Sequence, residues 1–159
     1  MSGTRVAPRS VRYRERLWVP WWWWPLGLAL AGLIAFEVNM GAGAALPAWV
    51  PFVTLFTVAA GTLLWLGRIE IQVTAGPDGV ELWAGRAHLP VTAITRSAEI
   101  PRSAKSAALG RQLDPAAFVL HRAWIGPMVL VVLDDPDDPT PYWLVSCRHP
   151  GRVLSALTS

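Results

Sequence analysis

The sequence predicts two transmembrane α-helices that form a hairpin, followed by a mostly β domain of about seven short strands and a C-terminal helix. Two observations carry this prediction. Hydrophobic residues make up 53% of the 159 residues and the mean hydropathy is +0.35, which is too apolar for an ordinary soluble domain of this size. The apolar residues are also concentrated, because residues 17–36 and 38–67 contain no charged side chain, whereas residues 68–159 carry charges at ordinary density.

Residues 1–16 are predicted to form a disordered, basic cytoplasmic arm. The stretch MSGTRVAPRSVR is rich in proline, serine and arginine and offers few residues for a core. The net charge of +3 originates in this N-terminal region, because residues 68–159 contain nine basic and nine acidic side chains that cancel. The pI of 9.8 therefore does not indicate nucleic-acid binding, and no nucleic acid is expected among the partners.

Residues 21–40 are the first predicted span, within a hairpin region of residues 17–67. Roughly 20 apolar residues are needed to cross about 30 Å of hydrocarbon. Tryptophan combines an apolar ring with a polar N–H and favours the headgroup boundary, with arginines just outside it. A buried aromatic cluster of a soluble core is the alternative, but four adjacent indoles cannot share one helical face. The predicted interface anchors of the two spans are Trp18, Trp21, Trp22, Trp23, Trp24, Trp49 and Trp65.

Residues 48–66 are the second predicted span, and the short Gly/Ala-rich connection before it predicts a tight hairpin. Small residues that repeat every four positions let helix backbones approach closely in lipid. The sequence places such a repeat on each helix. These small-residue repeats are Gly27, Ala31 and Ala35 on the first helix, and Val53, Thr57 and Gly61 on the second.

Arginine placement predicts that both termini are cytoplasmic and that the chain is a multi-pass protein of the cell membrane. Five arginines precede the first span and Arg68 follows the second, whereas the connection between the spans contains no Lys or Arg. A cleavable signal peptide is the alternative, since Ala42, Gly43 and Ala44 resemble a small-residue cleavage site. The long basic and tryptophan-rich lead and the spanning length favour the membrane span.

Residues 68–159 are predicted to form a cytoplasmic β domain. Residues 68–74 alternate apolar and polar side chains, and the turn sequence AGPDG separates them from a second strand at residues 80–84. Pro150 near a helix start, with Val153, Leu154 and Leu157 at helical spacing, predicts a C-terminal helix. Further strands are predicted at residues 86–89, 93–99, 117–121, 128–133 and 142–146.

The order of these elements resembles a membrane-tethered bacterial pleckstrin-homology-type domain, a small, partly open β-barrel capped by its last helix. Three segments, YRERLWVPWWWW, GVELWAGRAHLPV and DDPDDPTPYWLVSCRHPGRVLSAL, also resemble a family of actinobacterial membrane proteins classed as a domain of unknown function. The resemblance covers residues 13–157. It implies a two-span integral membrane protein and supplies no catalytic residue or ligand.

No set of residues in the sequence indicates catalysis, a cofactor or a metal, so the chain is not expected to be an enzyme. The lone Cys147 follows an apolar strand, which favours packing over nucleophilic chemistry, and His88, His121 and His149 lack a metal-binding spacing. The stretch DDPDDPTP, residues 134–141, has carboxylates suited to calcium but lacks the EF-hand glycine and glutamate, which favours a solvated turn. Glu37 at the end of the first span has only Asn39 nearby and does not form a proton relay.

Four basic residues after the second span suggest a role at the membrane surface. A loop carrying them would lie over anionic headgroups, or it would simply be solvated. The sequence thus predicts a non-catalytic, membrane-anchored binding or scaffolding module, with an auxiliary subunit of a transporter or membrane enzyme as the alternative. The partners expected are the lipid bilayer, anionic headgroups and, in the alternative, an unknown membrane protein. The candidate headgroup contacts are Arg96, Arg102, Lys105 and Arg111.

Overall fold

The computed structural model of the chain describes residues 9–42, 47–136 and 138–159, and it contains two compact units. One unit is a helical hairpin, Trp18–Arg68. The other is a β domain that combines the N-terminal strand with Ile69–Ser159. The hairpin is therefore an insertion between the first two strands of the β domain rather than a separate N-terminal domain.

The hairpin consists of two long apolar helices, α1 (Trp23–Ala42) and α2 (Trp49–Leu66). The predicted spans at residues 21–40 and 48–66 are confirmed as helices within two residues at each end. Pro25 and Pro51 lie in the first turns, where the missing N–H of proline breaks no helical hydrogen bond. Each helix is long and apolar enough to cross a membrane.

The two helices pack through the predicted small-residue face of α1 but not through that of α2. Ala31 and Ala35 are buried, and a side chain added at Gly27 would lie 3.3 Å from Leu63. On α2, Val53, Thr57 and Gly61 are exposed, so this half of the prediction is wrong. Larger α2 side chains, Leu63 and Phe56, fill the space opposite the small residues of α1 instead.

Among the described residues, the β domain contains two four-stranded sheets, and their eight strands replace the predicted number of about seven. Strand order in the first sheet is β1-β2-β3-β4, all antiparallel, and in the second it is β5-β7-β8-β6, where only β6 and β8 are parallel. No hydrogen-bonded ladder joins the two sheets among the described residues, so the predicted barrel is not closed. The strands are β1 (Ser10–Arg16), β2 (Glu70–Gly76), β3 (Gly79–Ala84), β4 (Ala87–Pro90), β5 (Ile94–Ile100), β6 (Phe118–Leu120), β7 (Met128–Leu133) and β8 (Tyr142–Ser146).

The extra strand, β1, corrects the prediction of a disordered arm at residues 1–16. Residues 1–8 lie outside the described part of the chain, but Ser10–Arg16 pair with Glu70–Ala75 of β2, with an irregularity between Val11 and Tyr13. The arginines at alternate positions lie on one face of the strand, and Tyr13 and Glu15 lie on the other. The composition predicted disorder because the arginines make the segment strongly charged, although its side chains alternate between two faces.

The core of the β domain lies between the two sheets and is closed by the C-terminal helix α4 (Pro150–Thr158). The predicted helix is confirmed, with Val153 and Leu157 buried against the sheets. The predicted turn between β2 and β3 is also confirmed, and Gly79 adopts there a φ of +112°, which favours glycine. The core includes Leu17, Ile71, Val73, Leu82, Ile125, Val129, Val131, Val145, Cys147 and Val153.

The described part of the domain also includes 3₁₀ turns at Val91–Ala93 and Arg102–Ala104 and a short helix, α3 (Lys105–Leu109). The second turn and α3 connect β5 to β6. They occupy the stretch in which the sequence predicted a single basic loop.

Candidate functional site

The predicted interface tryptophans lie at the ends of the two helices. Trp18, Trp21 and Trp22 precede α1, and Trp65 lies in the last turn of α2, at the same end of the antiparallel pair. Trp49 begins α2 at the opposite end. Trp21 is 80% exposed and Trp65 67% exposed, whereas Trp23 and Trp24 are half-buried.

The four predicted headgroup contacts do not share one loop. Arg96 lies on strand β5 and is exposed. Arg102 begins the second 3₁₀ turn, Lys105 begins α3, and Arg111 follows α3. The prediction of a continuous basic loop is therefore wrong. Of the four residues, Arg102 and Lys105 contact a common structural feature.

That common feature is the turn at residues 121–126, between β6 and β7. The backbone N–H of Ile125 donates to the Arg122 carbonyl, 3.2 Å away, and the Ile125 side chain is buried in the core. The backbone N–H of Arg122 donates to the hydroxyl of the fully buried Ser146, 3.0 Å away. The turn is thus fixed to the domain from both its backbone and its side chains.

Lys105 is tied to this turn by its ammonium group. Its Nζ donates to the Arg122 carbonyl at 2.9 Å and to the Ile125 carbonyl. The side chain is half-buried, and burial, followed by the positive charge of Arg102, lowers the pKa of Lys105. Because two of its three donors are engaged, Lys105 is suited to a fixed positive charge rather than to a mobile surface contact.

Arg102 and Arg122 flank the same turn. The aliphatic part of Arg102 lies across Gly126, where an added Cβ would be 3.0 Å from the Arg102 Cδ. The guanidinium carbon of Arg122 lies 5.7 Å from the centroid of the Trp124 ring, within the range of a cation–π contact. The Nη1 atom of Arg122 donates to the His121 carbonyl at 3.2 Å, while its buried Nε has no hydrogen-bond partner in the described part of the chain.

His121 adds a titratable group beside these cations. Its pKa is lowered, first by desolvation and then by the positive charges of Lys105 and Arg122. We refer to Arg102, Lys105, His121 and Arg122 as the basic cluster.

Among the described residues, no acidic side chain forms an ion pair with a member of the basic cluster. The ion pairs of Arg14 with Glu70 and of His149 with Glu15 lie on other elements. The charged neighbours that perturb Lys105 and His121 are all positive. The cluster thus gathers positive charge around the turn at residues 121–126.

A second polar cluster joins β1 to the end of β8. Glu15 is 9% exposed and accepts hydrogen bonds from the Tyr13 hydroxyl at 2.5 Å and from the backbone N–H of Arg148 at 2.8 Å. Cys147 is fully buried, and desolvation, followed by the nearby carboxylates of Glu15 and Glu99, raises the pKa of its thiol to about 12. A thiol that stays protonated and inaccessible is not an activated nucleophile. This cluster links β1 to the segment that follows β8.

The described residues contain no group of three or more His, Cys, Asp or Glu side chains placed to hold a metal ion. In the aspartate-rich stretch, Asp138 accepts a hydrogen bond from the backbone N–H of Thr140 at 2.9 Å, and bonds to Thr140 lower the pKa of Asp138. The backbone N–H of Asp138 donates to the Asp135 carbonyl, as expected for a turn. Asp137 lies outside the described residues.

Comparison with protein families finds one family whose model matches nearly the whole chain. A family described as "Protein of unknown function (DUF3093)" matches residues 12–157. The chain belongs to the DUF3093 family. Comparisons with curated proteins and with solved structures found no match. The match runs through both the two apolar helices and the β domain.

Within this DUF3093 chain, His121 and Arg122 are the site residues that sequence reasoning missed. They follow β6 in the sequence and lie 16 or more positions from Lys105, so their proximity depends on the tertiary fold. The one available signal was the sequence HRAW, which places two basic side chains beside an indole at the end of a strand.

Proposed function

We propose that the chain is an integral protein of the plasma membrane whose β domain is a non-catalytic binding or scaffolding module at the cytoplasmic surface. The observation that carries this proposal is the apolar surface of the hairpin. Only 11% of each span is buried, so these are not the internal helices of a soluble core. Exposed apolar side chains on this surface include Leu26, Leu30, Leu33, Phe36, Val53, Phe56, Val58 and Leu64.

The dimensions and polar groups of the hairpin also suit a bilayer. Helices of 20 and 18 residues are about 30 and 27 Å long, which matches the hydrocarbon thickness. The exposed hydroxyls of Thr57 and Thr62 donate to carbonyls one turn earlier, at 2.7 and 2.8 Å. These bonds satisfy the hydroxyls within the helix, which reduces the cost of placing them in lipid.

The pairing of β1 with β2 supports the proposed topology. The backbone N–H of Leu17 donates to the Ile69 carbonyl at 2.9 Å, so the chain enters and leaves the hairpin from adjacent points of one sheet. A hairpin whose two ends are joined in this way crosses the membrane twice and returns to the same side. With arginines on both flanks, the positive-inside rule favours the cytoplasm.

The β domain itself supports a binding module. Two four-stranded sheets closed by a C-terminal helix are in keeping with a pleckstrin-homology-like domain, and the basic cluster supplies uncompensated positive charge. Three residues separate α2 from β2, and six separate β1 from α1, so the domain is tethered to the hairpin at two points. Tethering raises the local concentration of headgroups, which allows weak contacts to be occupied.

Fractionation tests the membrane part of this proposal. The full chain is expected to remain with membranes after washing with alkaline carbonate, which removes peripheral proteins. Release into the supernatant, together with a monodisperse profile without detergent, would contradict it.

Crosslinking in native membranes tests the binding part against the auxiliary-subunit alternative. A module that acts on lipid is expected to crosslink mainly to lipid and to itself. Stoichiometric recovery of one larger membrane protein in mild detergent would instead identify the chain as an auxiliary subunit.

A further inference from the structure

We propose that the basic cluster is a binding site for a phosphate group, either the headgroup phosphate of an anionic lipid or free inorganic phosphate. The inference rests on the proposed binding role of the β domain and specifies its ligand. The sequence predicted Arg96, Arg102, Lys105 and Arg111 as headgroup contacts; the proposed site keeps Arg102 and Lys105 and adds His121 and Arg122.

The arrangement of the donors favours phosphate. Two guanidinium groups present planar, multiple N–H donors that match the oxygens of a phosphate, and His121 provides a further ring nitrogen beside them. Lys105, held by two carbonyls, contributes a fixed positive charge that needs no reorganisation when the anion arrives. The guanidinium groups of Arg102 and Arg122 already match the two negative charges of a phosphate dianion, so binding leaves no uncompensated negative charge.

The attachment of all four residues to one turn supports a built site. Arg102 crosses Gly126, Lys105 bonds to two carbonyls of the turn, and Arg122 lies over Trp124. The Nη1 atom of Arg122 also donates to the His121 carbonyl, which fixes the guanidinium beside the histidine of the same turn.

The three histidines of the chain allow a direct test with the full protein in maltoside micelles, which contain no phosphate. With ¹³C-labelled histidine, NMR reports three imidazole signals, and the His121→Gln variant assigns one of them. Inorganic phosphate is expected to shift the His121 signal saturably and to raise the His121 pKa by roughly one unit, because a nearby anion favours the imidazolium. The signals of His88 and His149 serve as internal controls and are expected to stay in place.

Matched variants localise the effect. Arg122→Gln and Arg102→Gln are each expected to weaken phosphate binding by roughly tenfold, the loss of one charge-assisted hydrogen bond. Arg96→Gln removes the same charge from exposed strand β5 and is expected to leave binding unchanged. Gly126→Ala keeps every charge but displaces the Arg102 side chain, so it is also expected to weaken binding. Unchanged His88 and His149 signals verify that each variant is folded.

Titrations with different ligands distinguish the two phosphate sources, and they distinguish failure of the phosphate site from failure of the membrane-surface role. Doping the micelles with phosphatidylglycerol tests the lipid phosphate, and a His121 response there supports both the site and the proposed membrane-surface role. A response to inorganic phosphate without a response to the lipid keeps the phosphate site and removes the headgroup role. Equal shifts with chloride or acetate at the same ionic strength, or no selective shift of His121 with either phosphate source, would overturn the site.

Discussion

Shortening Leu17 to alanine tests whether the segment before the hairpin belongs to the β-domain core. The Leu17 side chain is fully buried among core residues that include Ile71 and Cys147. Truncating a buried leucine to alanine destabilises a domain by about 2–5 kcal/mol, through lost burial and the cavity that remains. Val11→Ala on β1, in the same segment of the chain, is the matched control, because Val11 is 56% exposed and its truncation costs less than about 1 kcal/mol.

The single thiol of the chain provides the assay. Cys147 is fully buried, so a maleimide modifies it only when the β domain opens, and the rate then follows the opening equilibrium. Since 1.4 kcal/mol corresponds to a factor of ten, Leu17→Ala is expected to accelerate modification by at least roughly 30-fold. Equal rates for Leu17→Ala and Val11→Ala would refute the integration of β1 into this core.

Two further predictions concern the β domain. Replacing residues 18–68 with a short glycine-containing turn is expected to yield a soluble protein in which Cys147 stays protected, because Leu17 and Ile69 are already hydrogen-bonded neighbours; aggregation or a reactive thiol would contradict this. Between pH 9 and 12, the free energy of unfolding is expected to decrease with pH in the wild type more than in Cys147→Ala. The difference between the two slopes is about 1.4 kcal/mol per pH unit. The sign follows because the thiol ionises near its ordinary pKa of 9.0 when unfolded but only near 12 when folded, and parallel urea-midpoint curves for the two proteins would disprove it.

The sequence was most informative where a single physical pattern decides the structure. Two apolar runs of spanning length predict α1 and α2, and alternation with a Pro-Asp-Gly turn predicts the hairpin of β2 and β3. Strand β1 was missed because arginines at every second position raise the charge of a segment whose other face contributes Tyr13, Glu15 and Leu17 to the domain. Its pairing partner β2 lies beyond the entire helical insertion, so no local signal reports it.

The candidate site was only half predictable for a similar reason. Positive charge on Arg102 and Lys105 is visible in the sequence, but the attachment of both to the 121–126 turn depends on how β6 and β7 return the chain. Arg96 and Arg111 belong to the same stretch of sequence and yet lie on other elements. The sequence therefore identified a positively charged stretch, but it did not identify which of its residues lie together in the structure.

Thiol labelling of intact cells tests the central claim, a membrane-spanning hairpin inserted between two strands on the cytoplasmic side. In a Cys147→Ala background, single cysteines are placed at Ser10 on β1, Gly41 near the end of α1 and Ser155 on α4, which are all exposed. Space for the new side chain exists at Gly41, where an added Cβ meets nothing within 4 Å. An impermeant maleimide is expected to label Gly41→Cys in intact cells, and to label Ser10→Cys and Ser155→Cys only after permeabilisation. Labelling of Ser10→Cys or Ser155→Cys in intact cells, or protection of Gly41→Cys there, would contradict the account.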